Sequence, residues 1–207
     1  MIYMIKLLLV LLAISSCANI PISYQDLPET FYRAAFGYPD IAIDQETYNE
    51  NKYSFAKVRL GKASPVIMIL LSIDDGMYTW IDKEGLRLIT LNGRIIKTIG
   101  LPNDINIKVD KNKKQSNEGQ FYETINFSNP VLMNADLSSV ISFEEKIDLL
   151  YLDDLIEVNI YSEEVSISAI GWREENLYFL DNNNREIKTI QFIHPFLKQI
   201  DMEFYYK

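Results

Sequence analysis

Residues 80–102 read Trp80-Ile-Asp-Lys-Glu-Gly-Leu-Arg-Leu-Ile-Thr-Leu-Asn-Gly-Arg-Ile-Ile-Lys-Thr-Ile-Gly-Leu-Pro102, and they decide the class of fold. Two apolar, β-branched runs flank Asn92-Gly93. A two-residue type I′ turn needs positive φ at both central positions, and Asn-Gly is the pair that adopts it most readily. Gly100 and Pro102 then break the pairing on the far side. The stretch predicts an antiparallel hairpin, its second strand carrying Arg94 and Lys97.

The same period-two signal extends outward on both sides. From Tyr53 onward, β-branched and aromatic residues come in short runs broken by Asp75-Gly76, by the Asn cluster 182–184 and by prolines. Thirteen strands are predicted: 53–60, 66–72, 78–81, 87–91, 94–99, 105–109, 121–127, 141–151, 156–162, 165–172, 177–180, 187–192 and 200–206. So many antiparallel strands in so short a chain must curl or stack to cover their edges and their apolar face. The expectation is an all-β fold, an antiparallel meander forming a barrel or a strongly curved sheet. One short N-terminal helix is predicted over 26–37, where Asp26 is placed to cap, Pro28 lies in the first turn and Gly37 ends the run. The polar stretch 108–119 is a solvated hairpin loop.

Composition sets further bounds. The chain has 207 residues, 48% of them hydrophobic and 24% charged, so it can bury a core. Its net charge of −9 argues against gripping nucleic acid, which needs a basic footprint. One Cys and one His exclude an internal disulfide, a thiolate metal cluster and a His-pair zinc site. No cofactor or metal is expected, and no motif fixes a catalytic pair of carboxylates.

The first seventeen residues, MIYMIKLLLVLLAISSC, place Lys6 before the apolar run 7–14, then Ser15-Ser16, then the only cysteine. This is the three-part order of an export signal, and it is too short to span a bilayer, which takes about 20 apolar residues. Ile14-Ser15-Ser16-Cys17 resembles a bacterial lipobox, in which the Cys is lipidated, cleaved before and acylated on its new amino group. Each buried CH₂ contributes about 0.8 kcal/mol, so two or three chains hold firmly where one does not. The expected organisation is a signal peptide over 1–16, lipidated Cys17 and a tether over 17–25, and a single β-rich domain over 26–207. Ala18 stands where an inner-membrane retention Asp is common, so the expected address is the periplasmic face of the outer membrane, with the membrane as a partner through the lipid.

Several groups invite a binding reading. Trp80, Trp172, Tyr178 and Phe179 offer aromatic faces to sugar rings, although barrel filling is the plainer role. Residues 87–114 hold seven basic residues against two acids, a face suited to an acidic polymer, lipid headgroups or an acidic protein. Arg94 and Lys97 are its candidate contacts at a barrel mouth. Residues 142–164 hold eight acids against Lys146 alone, without the bent, alternating pattern of a calcium loop. Around Asp153-Asp154 and Glu157 they read as a solvated strand face and a hairpin tip. His194, beside Pro195, reads as a hydrogen-bonded structural residue.

The hairpin also carries a family resemblance. Asn92-Gly93-Arg94-Ile95-Ile96-Lys97-Thr98 followed by Gly100-Leu101, with 53–61 before it and 176–181 and 191–195 after it, resembles the YjbF/GfcB family of group 4 capsule polysaccharide lipoproteins. Phe179 stands where that family often has Trp, and 183–185 lack its turn Gly. The resemblance implies an all-β meander and a non-enzymatic accessory role in capsule or exopolysaccharide assembly or export. Its expected partners are other export proteins or the polysaccharide itself, bound directly in the alternative reading, with no catalytic residue to carry over.

Overall fold

The computed structural model describes residues 37–109 and 118–207. The helix expected over 26–37, the signal segment, Cys17 and most of the polar loop fall outside them. What the described residues form is a closed barrel of twelve strands, every neighbour antiparallel: β1 Phe55–Leu60, β2 Val66–Asp74, β3 Met77–Ile81, β4 Arg87–Leu91, β5 Arg94–Ile99, β6 Ile105–Lys108, β7 Gly119–Ser128, β8 Val131–Tyr151, β9 Asp154–Ile167, β10 Trp172–Asp181, β11 Glu186–Gln191 and β12 Ile200–Tyr205. The order around the barrel is the order along the chain, and β1 closes against β12 from Phe55↔Tyr205 to Leu60↔Ile200. Closure removes both sheet edges.

The expected meander is therefore present, with three differences in its elements. Residues 131–140 continue the strand expected only from 141, because Ala135 and Leu137 alternate inward across the barrel wall. The two strands expected on either side of 163–164 are one, β9, while the reversal expected between 151 and 156 stands at Leu152-Asp153. A helix not foreseen, α1 over Gln45–Glu50, is capped by the Asp44 side chain accepting from Thr47 N at 2.8 Å.

Alternation fills the lumen. Ala56, Met68, Trp80, Leu88, Ile105, Ile125, Leu137, Val165, Met202 and Phe204 all turn inward and are buried. Trp80 is fully buried, its Nε1 donates to Thr90 Oγ1 at 3.0 Å, and its ring lies 5.4 Å from that of Phe204. A second apolar cluster, Val158, Ile160, Phe179 and Ile187, sits on the other face of β9–β11, where Leu149 and Tyr151 of β8 pack against it. Adjacent residues serve both: Tyr178 points into the lumen while Phe179 points out.

The Asn92-Gly93 turn has the expected geometry, φ 49° and 74°. Gly93 has a further reason to be glycine: a Cβ there would stand 2.7 Å from Glu186 Cγ and 3.2 Å from Thr189 Cγ2. The turn lies directly against β11, six strands away around the barrel in either direction.

Candidate functional site

The barrel is pinched where β5 meets β11. Gln191 Oε1 accepts from Ile95 N at 2.8 Å, and Gln191 Nε2 donates to Gly93 O at 2.9 Å and to Thr189 Oγ1 at 2.9 Å. Opposite walls are thus joined by a buried side chain, and every polar atom of the amide is satisfied. Beside this bridge lies a charged knot. Arg94 Nη1 stands 2.6 Å from Glu123 Oε2, and Arg94 Nε stands 3.0 Å from Glu163 Oε1. Glu163 Oε2 accepts from Tyr178 OH at 2.6 Å and from Asn176 Nδ2 at 3.0 Å. Asn176 Oδ1 accepts from Phe192 N at 2.7 Å.

The electrostatics follow from burial. Burial alone lowers the Arg94 pKa, but Glu163 and Glu123 outweigh it and hold the guanidinium charged, its pKa above the usual arginine range. Burial and the Glu163 charge push the Tyr178 phenol well up, so it stays a donor. The cavity beside Arg94, between Ile95, Ile125 and Trp172, holds only about 20 Å³, the room of one water molecule. Around this knot the described residues pack the lumen as a core.

The structure therefore separates the sequence candidates. Trp80, Arg94 and Tyr178 belong to the sealed interior, where no sugar ring can stack on them, so the barrel-mouth placement is corrected for these three. Packing claimed them because period two points each inward. Lys97 is exposed and joins none of the other candidates, whereas the half-buried Trp172 lines the small lumen cavity together with Arg94. Arg94 is likewise absent from the basic surface, and Asp110, Lys111, Lys113 and Lys114 lie outside the described residues. Glu163, counted with the solvated acids, is fully buried. Its place was legible in the alternation Tyr161-Glu163-Val165, once β9 is read as unbroken. His194 is structural, as expected: its Nδ1 accepts from Phe196 N at 3.0 Å, and its ring packs 4.3 Å from that of Phe127. Burial pushes the His194 pKa down.

The larger cleft, about 300 Å³, lies outside the barrel wall. Its floor is the outer face of β1, β12 and β11, where strand register sets Lys57, Glu203 and Lys188 in one row. One side is the tip of the β8–β9 hairpin and the other is the segment from Asp40 to Asp44. Lys57 Nζ reaches three acceptors: Glu203 Oε2 at 2.9 Å, Ile41 O at 3.0 Å and Asp40 Oδ2 at 3.2 Å. Glu203 Oε2 also accepts from Tyr205 OH at 2.9 Å. Lys188 Nζ stands 3.7 Å from Glu203 Oε1. Burial raises the Asp40 pKa, but Lys57 and Arg59 outweigh it and hold the carboxyl below its usual range. Burial pushes the Tyr151 phenol, whose OH donates to Phe204 O, up to about 12. Sequence reading missed this row, because Lys57 and Glu203 lie at opposite ends of the domain and only closure of the barrel makes them neighbours.

A twelve-strand up-and-down barrel, pinched across its lumen and hollowed on its outer wall, belongs to the class of β-barrels whose interior is filled by side chains. Among the described residues no helix is long and apolar enough to cross a membrane. The chain belongs to the YjbF family, the group 4 capsule polysaccharide lipoproteins GfcB and YjbF, whose profile matches residues 28–205. That match is wider than the stretch from 53 to 195 over which the sequence motifs are spread. The uncharacterized lipoprotein GfcB of Escherichia coli K12 is 22% identical over 175 residues, covering 80% of this chain and 81% of that one. The uncharacterized lipoprotein YjbF of the same organism is 20% identical over 196 residues, covering 90% of each. The crystal structure of the hypothetical lipoprotein YmcC of Escherichia coli K12 shares the fold, with a TM-score of 0.71 and 21% identity over 90% of this chain and 98% of that one.

Proposed function

We propose that this protein is an outer-membrane lipoprotein, held by an acylated Cys17 on the periplasmic face, that acts without catalysis as an accessory in the assembly or export of a surface polysaccharide. The observation that carries the reading is membership of the capsule polysaccharide lipoprotein family across nearly the whole domain. The lipobox-like Ile14-Ser15-Ser16-Cys17 supports the anchor. The filled lumen supports action by contact, with other envelope proteins, with glycan or with both, in preference to conduction. The pairing of Glu123, Glu163 and Glu203 with cations supports a structural use of these carboxylates over acid–base chemistry. Tethering raises the effective concentration for partners on the same membrane, so weak contacts suffice.

The test is Cys17→Ser in the producing cell. The expected result is a folded, soluble domain in the periplasm and loss of surface polysaccharide. Normal capsule display from a strain whose only copy is the unlipidated protein contradicts the reading.

A further inference from the structure

We infer that the outer cleft between the β8–β9 tip and the β1–β12–β11 face is a binding site for a neutral sugar, one or two pyranose rings of a glycan chain. The inference rests on the polysaccharide reading above and gives it a place on the molecule. A cleft of about 300 Å³ is at the small end of ligand sites, which suits a mono- or disaccharide unit rather than a long polymer.

The lining selects the chemistry. Lys188 Nζ and Glu203 Oε1 are 3.7 Å apart, too far for a direct hydrogen bond. A hydroxyl oxygen at ordinary distance from both closes the triangle, donating its proton to the carboxylate and accepting from the ammonium. Sugar hydroxyls carry a donor and an acceptor on the same atom, and carboxylates and ammoniums carry one kind each. Lys57 fixes this pair: its ammonium, itself held by Ile41 O and Asp40 Oδ2, binds the other Glu203 oxygen, so the carboxylate is oriented before any ligand arrives. Lys57 is thus a positioning residue.

The remaining lining argues against a charged ligand. Four carboxylates border the cleft against two ammoniums, which disfavours a uronate. Those carboxylates are engaged: Asp40 with Lys57 and Arg59, Asp44 with Thr47 N, Asp153 with Gln45 N and Glu203 with Lys57. Each thus already commits an oxygen to the protein, which disfavours its recruitment by a ligand amine. Leu149, Leu150 and Ile187 supply apolar walls for the C–H faces of a ring.

The wall itself shows a built feature. The turn that shapes it, Leu152-Asp153, holds both residues at positive φ, 49° and 68°, and neither is glycine. A leucine there is strained, and strain of this kind gathers at ligand clamps. Asp153 Oδ2 accepts from Gln45 N at 3.0 Å and ties the turn to the opposite side of the cleft.

The experiment is a nuclear magnetic resonance titration of the full mature chain carrying Cys17→Ser. The probes are maltose, cellobiose and lactose, compared with digalacturonate and with a deacetylated glucosamine dimer. At least one neutral disaccharide is expected to give saturable shifts at Leu149, Ile187 and Lys188. Lys188→Met is expected to weaken that binding at least tenfold while keeping the unfolding midpoint of the parent, and Leu149→Trp, which fills the cleft, to abolish it in a chain whose amide spectrum shows the barrel still folded. Saturable binding that ignores both substitutions, tighter binding of either charged disaccharide, or no saturable shift with any probe overturns the inference. Capsule display separates its failure from that of the anchored role. Loss of display with Cys17→Ser alongside normal display with Leu149→Trp removes the cleft and leaves the anchored accessory standing. Normal display with Cys17→Ser removes the anchored role whatever the cleft binds.

Discussion

Two hairpins of this barrel end in turns of the same backbone shape and are built from opposite kinds of residue. The β4–β5 turn is Asn92-Gly93, which adopts positive φ at little cost, and it drives its backbone against β11 until no Cβ fits. The β8–β9 turn is Leu152-Asp153, which adopts positive φ at a penalty, and it stands over an open cleft. The first is local preference and tertiary packing in agreement, the mark of a residue pair selected for folding. The second is local preference overruled, and sites where that happens are where function concentrates.

The sealed side is expected to be the more fragile one. Removing Glu163 leaves Arg94 with half its counter-charge in a packed lumen and strips Tyr178 and Asn176 of their acceptor. Glu163→Ala should therefore lower stability by about 3–5 kcal/mol in chemical denaturation. A loss under about 1 kcal/mol would mean that the knot is hydrated, and the contrast between the two sides would collapse. Gly93→Ala comes next, at about 2–3 kcal/mol, from the left-handed backbone together with the collision at Glu186. The same substitution at Gly85, also at positive φ but with open space around it, should cost about 1–2 kcal/mol, the backbone part alone.

A smaller effect is tied to pH. Burial depresses the folded pKa of His194, and its Nδ1 is already an acceptor for Phe196 N. The unfolded chain takes up a proton near pH 6.5 while the folded one resists it. The stability is thus fully present above that pH and is lost as pH falls from about 6.5 through the lower folded value. Denaturation midpoints followed from pH 8 to pH 5 should show this fall, and His194→Gln should flatten it. The smallest effect lies on the cleft side. Leu152→Asn should stabilise the fold by about 0.5–1 kcal/mol, since Asn tolerates the left-handed region. An equal or larger loss from Leu152→Asn would show that the two turns are not opposites.

The fold was largely legible because its information is local. Period-two runs and turn pairs name strands and reversals one at a time, and a meander asks for nothing more than that order. Where the reading slipped, a polar residue on an inward position was taken for a solvated one. Glu163 and Glu164 looked like a break between strands because two acids in a row read as surface, yet Glu163 follows the inward alternation and finds Arg94 from a strand nearly seventy positions earlier. Arg94 and Lys97 read as a pair of basic contacts, yet they stand three apart on one strand, an odd spacing that favours opposite faces, and the barrel buries Arg94 while Lys97 stays in solvent. The cleft was illegible for another reason. Lys57, Glu203 and Lys188 come together only when β1 meets β12, a contact between the two ends of the domain that no window of sequence contains.

The pinch between β5 and β11 separates a filled barrel from a conduit, and one amide reports on it. Ile95 N donates to Gln191 Oε1 across the lumen, so hydrogen exchange at Ile95 should be slow in the natural chain and should speed up selectively in Gln191→Leu, with β12 amides unchanged. Fast exchange at Ile95 in the natural chain, or equal protection with and without the Gln191 amide, would show that the opposite walls are not joined and would contradict the account.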